Sequence, residues 1–301
     1  MKPTAVVALG GNALLRRGDA PSCDNQLLNI KIAAKAIAKI AVDYKVAIVH
    51  GNGPQVGLLA LQNLAYKEVA PYPLDVLGAE SQGMIGYMLA QELQNLMPTT
   101  EVSTLLTRIE IDANDNSMAD PSKFVGPVYN KEEAATLAEA NNWIMKADGE
   151  YMRRVVPSPK PMNIVDKKSI DTLLGAGNIV ICCGGGGIPV CRTDNGFKGV
   201  EGVIDKDLSA TLLAKQLGAE KLLILTDADA VYLDWGTDKQ RALNNVTPEE
   251  LAKHHFPAGS MGPKVEAAAD FAKFGGRAYI GALEQSVEVL AEEAGTCVAM
   301  A

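Results

Sequence analysis

Six short apolar runs recur along the chain, at 5–9, 46–49, 102–106, 179–183, 222–225 and 278–280. Between and after them, the stretches 25–42, 58–67, 80–96, 166–174, 206–217 and 261–274 carry apolar residues at i, i+3, i+4 spacing, the period of a helix with one buried face. Strands that alternate with helices predict an α/β fold, an open and mostly parallel sheet sandwiched between helices. One stretch breaks the rhythm. From 108 to 162, Asp, Asn, Pro and isolated aromatics replace the regular pattern. Within a single domain spanning 1–301, this reads as an insertion, a flap or small protruding subdomain over the carboxyl ends of the strands, where open α/β sheets bind their ligands. Pro157, Pro159 and Pro161, spaced by single residues, predict a stiff return from it and a hinge boundary.

The ends of the strand runs carry the candidate chemistry. The first stops at Gly10-Gly11-Asn12 and the second at His50-Gly51-Asn52-Gly53-Pro54. A strand that ends in glycines and feeds a helix presents bare backbone N–H groups beside a helix N-terminus, where a phosphate or another small anion is favoured. Either turn alone is better explained as tight-turn geometry, but the recurrence points to a site shared between strands. A third turn, Gly184-Gly185-Gly186-Gly187, follows the run ending at Cys183, and four ordered glycines imply that backbone comes very close to something, with a ligand as the candidate. The sequence has no G-x-x-x-x-G-K-[ST], and the turn at Gly51 departs from G-x-G-x-x-G at its last glycine, so neither a P-loop nor a dinucleotide fold is supported.

Two lysines supply countercharge. Lys206 opens one predicted helix, capped by Asp205 or Asp207, and Lys264 lies in the first turn of another, capped by Ser260. A cation at a helix N-terminus is unfavourable by roughly 0.3–1 kcal/mol, so two such placements call for a compensating anion such as a polyphosphate. Asp207 has two compatible readings, a helix cap or a carboxylate that holds both lysines. The loop Thr226-Asp227-Ala228-Asp229-Ala230-Val231-Tyr232 either edges a nucleoside pocket or is an ordinary loop with two solvated acids. His50, His254 and His255 show no metal or triad spacing and are assigned no catalysis.

Composition narrows the partners. The 301 residues carry a net charge of -8 with no long basic cluster, which argues against nucleic acid and against a membrane surface. No apolar stretch is long enough to span a bilayer, and Met1-Lys2-Pro3 does not open a signal peptide, so a cytoplasmic location is expected. The five cysteines, Cys23, Cys182, Cys183, Cys191 and Cys297, lack metal spacing and are read as reduced and mostly structural.

Eight fragments in order resemble carbamate kinase, of the amino-acid kinase superfamily. They are Val7-Ala8-Leu9-Gly10-Gly11-Asn12-Ala13, His50-Gly51-Asn52-Gly53-Pro54-Gln55-Val56-Gly57, Ser81-Gln82-Gly83-Met84-Ile85-Gly86-Tyr87, Arg153-Arg154-Val155-Val156-Pro157-Ser158-Pro159, and the stretches 184–190, 203–208, 225–232 and 259–267. The resemblance implies the amino-acid kinase fold, a homodimer, Mg²⁺ with ATP or ADP, and reversible phosphoryl transfer between ATP with carbamate and ADP with carbamoyl phosphate. ATP synthesis in catabolism is the expected direction. By matched position, Gly10, Gly11, Asn12, Gly51, Asn52 and Gly53 resemble loops that hold carbamate and the transferred phosphoryl group. Lys206 and Lys264 resemble the lysines on the phosphates, Asp207 the aspartate that orients them, and Lys123 a lysine brought over the substrate by the protruding subdomain. Asp227, Asp229, Tyr232, Met261 and Gly262 fall in stretches that resemble the nucleotide pocket. The resemblance gives no metal ligands. The chain departs from the family pattern at Asp120-Pro121-Ser122, a shorter approach to Lys123, and at Phe124 in place of a proline.

Two other readings remain open from sequence. One is a kinase of another small acceptor, like the acetylglutamate, aspartate or isopentenyl phosphate kinases, although, apart from Arg16-Arg17, no extra arginine cluster lies near Gly10 or Gly51. The other is a non-catalytic nucleotide or oxyanion binder, against which Lys123, Lys206, Asp207 and Lys264 argue together.

Overall fold

The computed structural model describes residues 2–16, 18–257 and 260–301, and Asn12 in its backbone alone. The readings made on Met1, on Gly259 and on the Asn12 side chain therefore lie outside the described residues. All six apolar runs fall in one eight-stranded sheet. Its order from one edge is Asn245–Val246, Thr296–Val298, Arg277–Ala282, Lys221–Thr226, Thr4–Leu9, Lys45–His50, Ile179–Ile181 and Val102–Thr104. Neighbouring strands are parallel except Thr296–Val298, which runs antiparallel to Arg277–Ala282.

The runs are continuously apolar because both faces of the sheet are buried. In Thr4–Leu9, Val6 and Ala8 enter one core, and Ala5, Val7 and Leu9 enter the other. In Lys221–Thr226, Leu222 and Ile224 join the first core, and Leu223 and Leu225 the second. Successive strand residues point to opposite faces, so a doubly covered strand needs apolar residues at every position. Helices Lys167–Gly175, Lys206–Leu217 and Met261–Lys273 cover the first face, and Cys23–Ile40 and Leu74–Leu96 cover the second.

Two helices start earlier than their periodicity predicts. Gly53–Ala65 begins at the glycine turn, with Pro54 in its first turn, rather than at 58. Leu74–Leu96 begins after Pro73 rather than at 80, and the Leu74 N–H donates to Glu201 Oε2 at 2.8 Å. A remote carboxylate thus satisfies one of the orphan donors of that helix, a feature invisible to local patterning.

The irregular stretch has architecture of its own. Arg108–Ile111 and Pro161–Ile164 pair antiparallel, and the former also pairs with Ile188–Thr193 in a four-stranded sheet. Between them stands a three-stranded antiparallel sheet in the order Lys123–Tyr129, Tyr151–Val156, Ile144–Asp148. Val125 and Val156 of this sheet pack with Val56, Leu74 and Leu77 in a small separate core. Two ion pairs join it to the body, Arg154 with Glu201, and Lys123 Nζ with Asp205 Oδ2 at 3.1 Å.

Candidate active site

The strands Thr4–Leu9, Lys45–His50 and Ile179–Ile181 are neighbours in the sheet, so their three glycine turns meet along one carboxyl edge. The Gly51 N–H donates to the Leu9 carbonyl at 3.1 Å and the Gly10 N–H to the Leu225 carbonyl at 2.8 Å, which carries the sheet's hydrogen bonding into the turns. A Cβ at Gly51 would lie 3.3 Å from the Gly11 nitrogen and 3.5 Å from Lys206 Cδ, so the two turns and the lysine stem touch. Gly53 opens the following helix, and its neighbour Asn52 is the N-cap residue, yet its side chain makes no capping bond.

The tetraglycine turn holds a finding that differs from expectation. Close neighbours of these glycines are protein atoms. A Cβ at Gly184 would lie 2.5 Å from His50 Nε2, at Gly185 2.2 Å from Asn52 Nδ2, at Gly186 2.1 Å from the Ile204 carbonyl oxygen, and at Gly187 2.6 Å from Ile109 Cδ1. Gly185, Gly186 and Gly187 also have φ of 66°, 90° and 92°, a region that side chains disfavour. Steric room and backbone sign each require glycine here.

The helix Lys206–Leu217 is capped by Asp205, whose Oδ1 accepts from the Asp207 N–H at 2.9 Å. Asp207 is thereby free to do the other thing the sequence allowed. It is 2% exposed, pairs through Oδ1 with Lys206 Nζ, and accepts from Lys264 Nζ through Oδ2 at 3.3 Å. Burial pushes the Asp207 carboxyl up, but the two ammonium groups outweigh it and hold the carboxyl below its ordinary range. The anion that two lysines at helix starts demand is supplied first by the protein itself. Asp205 also reaches Lys123 with its second oxygen, so two neighbouring aspartates gather three lysines. Ser260 does not cap its helix as expected. Its backbone sits at φ -141° and ψ -86°, and no side-chain capping bond forms. Its carbonyl instead faces Lys264 Nζ at 3.5 Å.

The residues matched to a nucleotide pocket are distributed differently. Asp229 and Tyr232 form a pair of their own, with the phenol donating to the carboxylate at 3.0 Å, and Tyr232 meets Trp235 edge-on at 5.0 Å between ring centres. Asp227 accepts from the Thr226 hydroxyl at 2.9 Å and lines a cleft of about 250 Å³ with Arg16, Asn29 and Glu284. Met261 packs against the first core and opens the helix that carries Lys264. Gly262 lines a groove of about 890 Å³ that runs along the flanks of helices Lys206–Leu217 and Met261–Lys273.

Three residues outside the expected set brace the turns. His50 is 1% exposed, and its Nδ1 lies 2.9 Å from the Gly51 carbonyl. A carbonyl only accepts, so Nδ1 carries the proton and Nε2, turned toward Gly184, is bare. Burial, with Lys206 nearby, lowers the His50 pKa to about 4 against the raising effect of that hydrogen bond. Gln82 donates to the Gly184 carbonyl at 2.9 Å and accepts from the Thr107 N–H at 2.9 Å. Ser81 Oγ accepts from Asn52 Nδ2 at 2.8 Å and donates to the Gly78 carbonyl at 2.7 Å. Ser81 and Gln82 stand in a fragment quoted for the resemblance, but no local signal identifies their partners.

Such a site can bind an anion between lysines and glycine N–H groups at a carboxyl edge. Among the described residues, no group of three or more His, Cys, Asp or Glu side chains could hold a metal ion. The chain matches the amino acid kinase family over residues 3–281. It is 58% identical to carbamate kinase of Escherichia coli (strain K12), covering 99% of both chains, and 51% identical to that of Haemophilus influenzae, covering 97% of this chain and 95% of the relative. Among solved structures, carbamate kinase from Giardia lamblia bound to AMP-PNP superposes with a TM-score of 0.92 at 40% identity, covering 99% of this chain and 98% of that one.

Proposed function

The chain belongs to the amino acid kinase family and, within it, to the carbamate kinases, and on that footing we propose which residues carry the transfer and how. The reaction passes a phosphoryl group reversibly between ATP with carbamate and ADP with carbamoyl phosphate. Carbamate already bears an anionic oxygen, so no general base is needed. The enzyme must align that oxygen with phosphorus and neutralise charge on a loose, metaphosphate-like transition state. In this reading Lys206 and Lys123 meet the migrating group and Lys264 meets the nucleotide phosphates. Asp207 keeps the two body lysines a fixed distance apart. Gly10, Gly11, Asn12, Gly51, Asn52 and Gly53 surround carbamate and the phosphoryl group; the Gly10 and Gly51 N–H groups are spent on the Leu225 and Leu9 carbonyls, so the backbone N–H groups of Gly11, Asn12, Asn52 and Gly53 are the preorganised donors. Although Asp227 and Gly262 line separate clefts, Asp227, Asp229 and Tyr232 follow the strand Lys221–Thr226 and Met261 and Gly262 open the helix that carries Lys264, and in this reading the two segments border the nucleoside from two sides. The carboxylates of Asp205 and Asp207 are already taken by lysines, so Mg²⁺ enters as part of the nucleotide substrate, held by its phosphate oxygens.

The observation that carries this reading is the Lys206–Asp207–Lys264 cluster beside two glycine turns. Its test is ATP formation from ADP, Mg²⁺ and carbamoyl phosphate, with a no-enzyme control for breakdown of the labile donor. Lys206→Ala is expected to lower kcat by about 10²-fold or more with little change in melting temperature. Unchanged turnover would remove Lys206 from the site. The same reading takes 1–301 as one kinase domain from which 108–162 protrudes, working as a cytoplasmic homodimer toward ATP synthesis. Val76 at 39% exposure and Tyr87 at 65%, eleven residues apart and so on one face of the long helix Leu74–Leu96, support a self-association face there. Sedimentation of the purified chain as a monomer at micromolar concentration would contradict the dimer.

A further inference from the structure

Asn52 is an N-cap that does not cap. Asparagine at that position ordinarily accepts from an N–H of the first helical turn, yet this side chain is turned away and bonds Ser81 instead. The bond has a fixed polarity. Ser81 is fully buried, and its one hydroxyl hydrogen is committed to the Gly78 carbonyl at 2.7 Å. Its oxygen can therefore only accept from Asn52, and the group it accepts from must be the amide nitrogen. The Asn52 amide is thus locked with Nδ2 toward Ser81 and Oδ1 on the other side. Gly185, where any Cβ would collide with this amide, holds it flat against the tetraglycine turn.

Oδ1 is then an oriented acceptor with no hydrogen-bond donor among the described residues, on a side chain only 7% exposed. It stands one residue from Gly51, which touches Gly11 and the Lys206 stem. Oδ1 is not one of the buried side-chain atoms left without a partner among the described residues, so the oxygen faces the open side of the turn, where a ligand donor can reach it. We propose that Asn52, oriented by Ser81, reads the amino group of the acceptor, so that the site selects carbamate over carboxylates that lack an N–H. This rests on the carbamate kinase reading above and adds the element that makes the acceptor pocket specific. A site built to hydrogen-bond an N–H discriminates strongly against an analogue of the same shape without it, because its own polar group is left unpaired.

The experiment compares two phosphoryl donors for ADP, carbamoyl phosphate and acetyl phosphate, in which a methyl group replaces the amino group at nearly the same size. The readout is the ratio of their kcat/KM values in wild type, Asn52→Ala and Ser81→Ala. Wild type is expected to favour carbamoyl phosphate by well over tenfold, and Asn52→Ala to collapse that preference by about tenfold or more. Ser81→Ala, which frees the amide to rotate, is expected to fall between them. It removes a single hydroxyl and decides the matter alone if Asn52→Ala does not fold. A wild-type ratio near one, or both rates falling together in the variants with the ratio intact, would overturn the proposal and leave Asn52 a purely structural residue. Wild-type enzyme that forms ATP from neither donor would instead overturn the kinase reading.

Discussion

Asp207 and His50 sit beside Lys206 and respond to acid in different pH ranges. Asp207 has its carboxyl held low by two ammonium groups, so its contribution to stability is complete above the ordinary carboxylate pKa of about 4 and is lost as pH falls below that. His50 is held neutral, with its pKa lowered to about 4 from an ordinary 6.5. The unfolded chain therefore binds a proton between those values that the folded chain refuses, and stability must rise with pH from about 4 to 6.5 and be level above. From pH 7 to 4.5 the expected loss through His50 is about 2–3 kcal/mol. Urea denaturation of wild type and His50→Gln at those two pH values isolates it. The variant is expected to be the less pH-dependent of the two, and an equal pH dependence would refute the assignment. For Asp207→Asn the expectation is different. The side chain keeps its shape and loses its charge, so Lys206 and Lys264 repel with nothing between them, and kcat should fall by about 10²-fold or more in the ATP-formation assay. A loss below tenfold would mean that the lysines find their positions without it.

At the level of elements, the helix Lys206–Leu217 depends on one aspartate for two separate things. Asp205 caps the helix with Oδ1 and holds Lys123 with Oδ2. Asparagine caps as well as aspartate but carries no charge, so the two uses can be taken apart. Asp205→Asn should retain the stability of wild type to within about 0.5 kcal/mol, whereas Asp205→Ala should cost about 1 kcal/mol by denaturant titration. Turnover should stay near wild type in Asp205→Asn, because Lys123 gives up this partner when it meets the phosphoryl group, and a fall of about tenfold or more in kcat would show that Lys123 acts from the anchor instead. The cap and both lysines were legible in the sequence because capping is local, within two residues of the helix start. The six main strands were legible for a related reason, since burial on both faces makes each a continuous apolar run. Strands such as Gly196–Gly199 and Arg241–Leu243 escaped notice because they are exposed along most of their length and carry glycine, lysine and arginine. The braces of the site were hidden by distance along the chain. Asn52 and Ser81 are 29 positions apart, and Gln82 and Gly184 are 102 apart. Nothing in either neighbourhood names the other, and the tetraglycine turn showed only that something comes close.

The whole molecule adds a question of how firmly the three-stranded sheet is fixed over the site. Its apolar attachment is small, with Val125 and Val156 against Val56, Leu74 and Leu77. Among the described residues, the Val203 N–H also donates to the Pro157 carbonyl at 2.9 Å, and two further ties are ionic and unequal. Lys123 keeps 40% of its side chain exposed, so its pair with Asp205 is weakened by water and salt. Arg154 is 11% exposed, stacks 4.1 Å over the Trp143 ring, and pairs with Glu201, whose other oxygen also holds the start of helix Leu74–Leu96. Arg154 is therefore the hinge-side clamp, and Lys123 is the end that can let go to meet a phosphoryl group without freeing the sheet. That division predicts opposite behaviour of two variants in limited proteolysis of the 112–160 segment. Arg154→Ala should speed cleavage several-fold, because the ring contact and the ion pair vanish together, while Lys123→Ala should leave the rate near that of wild type and lower kcat instead. In wild type, ADP with carbamoyl phosphate should slow cleavage, since the ligand replaces Asp205 as the partner of Lys123 and draws the sheet onto the body. Equal cleavage with and without both ligands would mean that the sheet does not close on substrate. Faster cleavage in Lys123→Ala than in Arg154→Ala would reverse the assignment of clamp and free end.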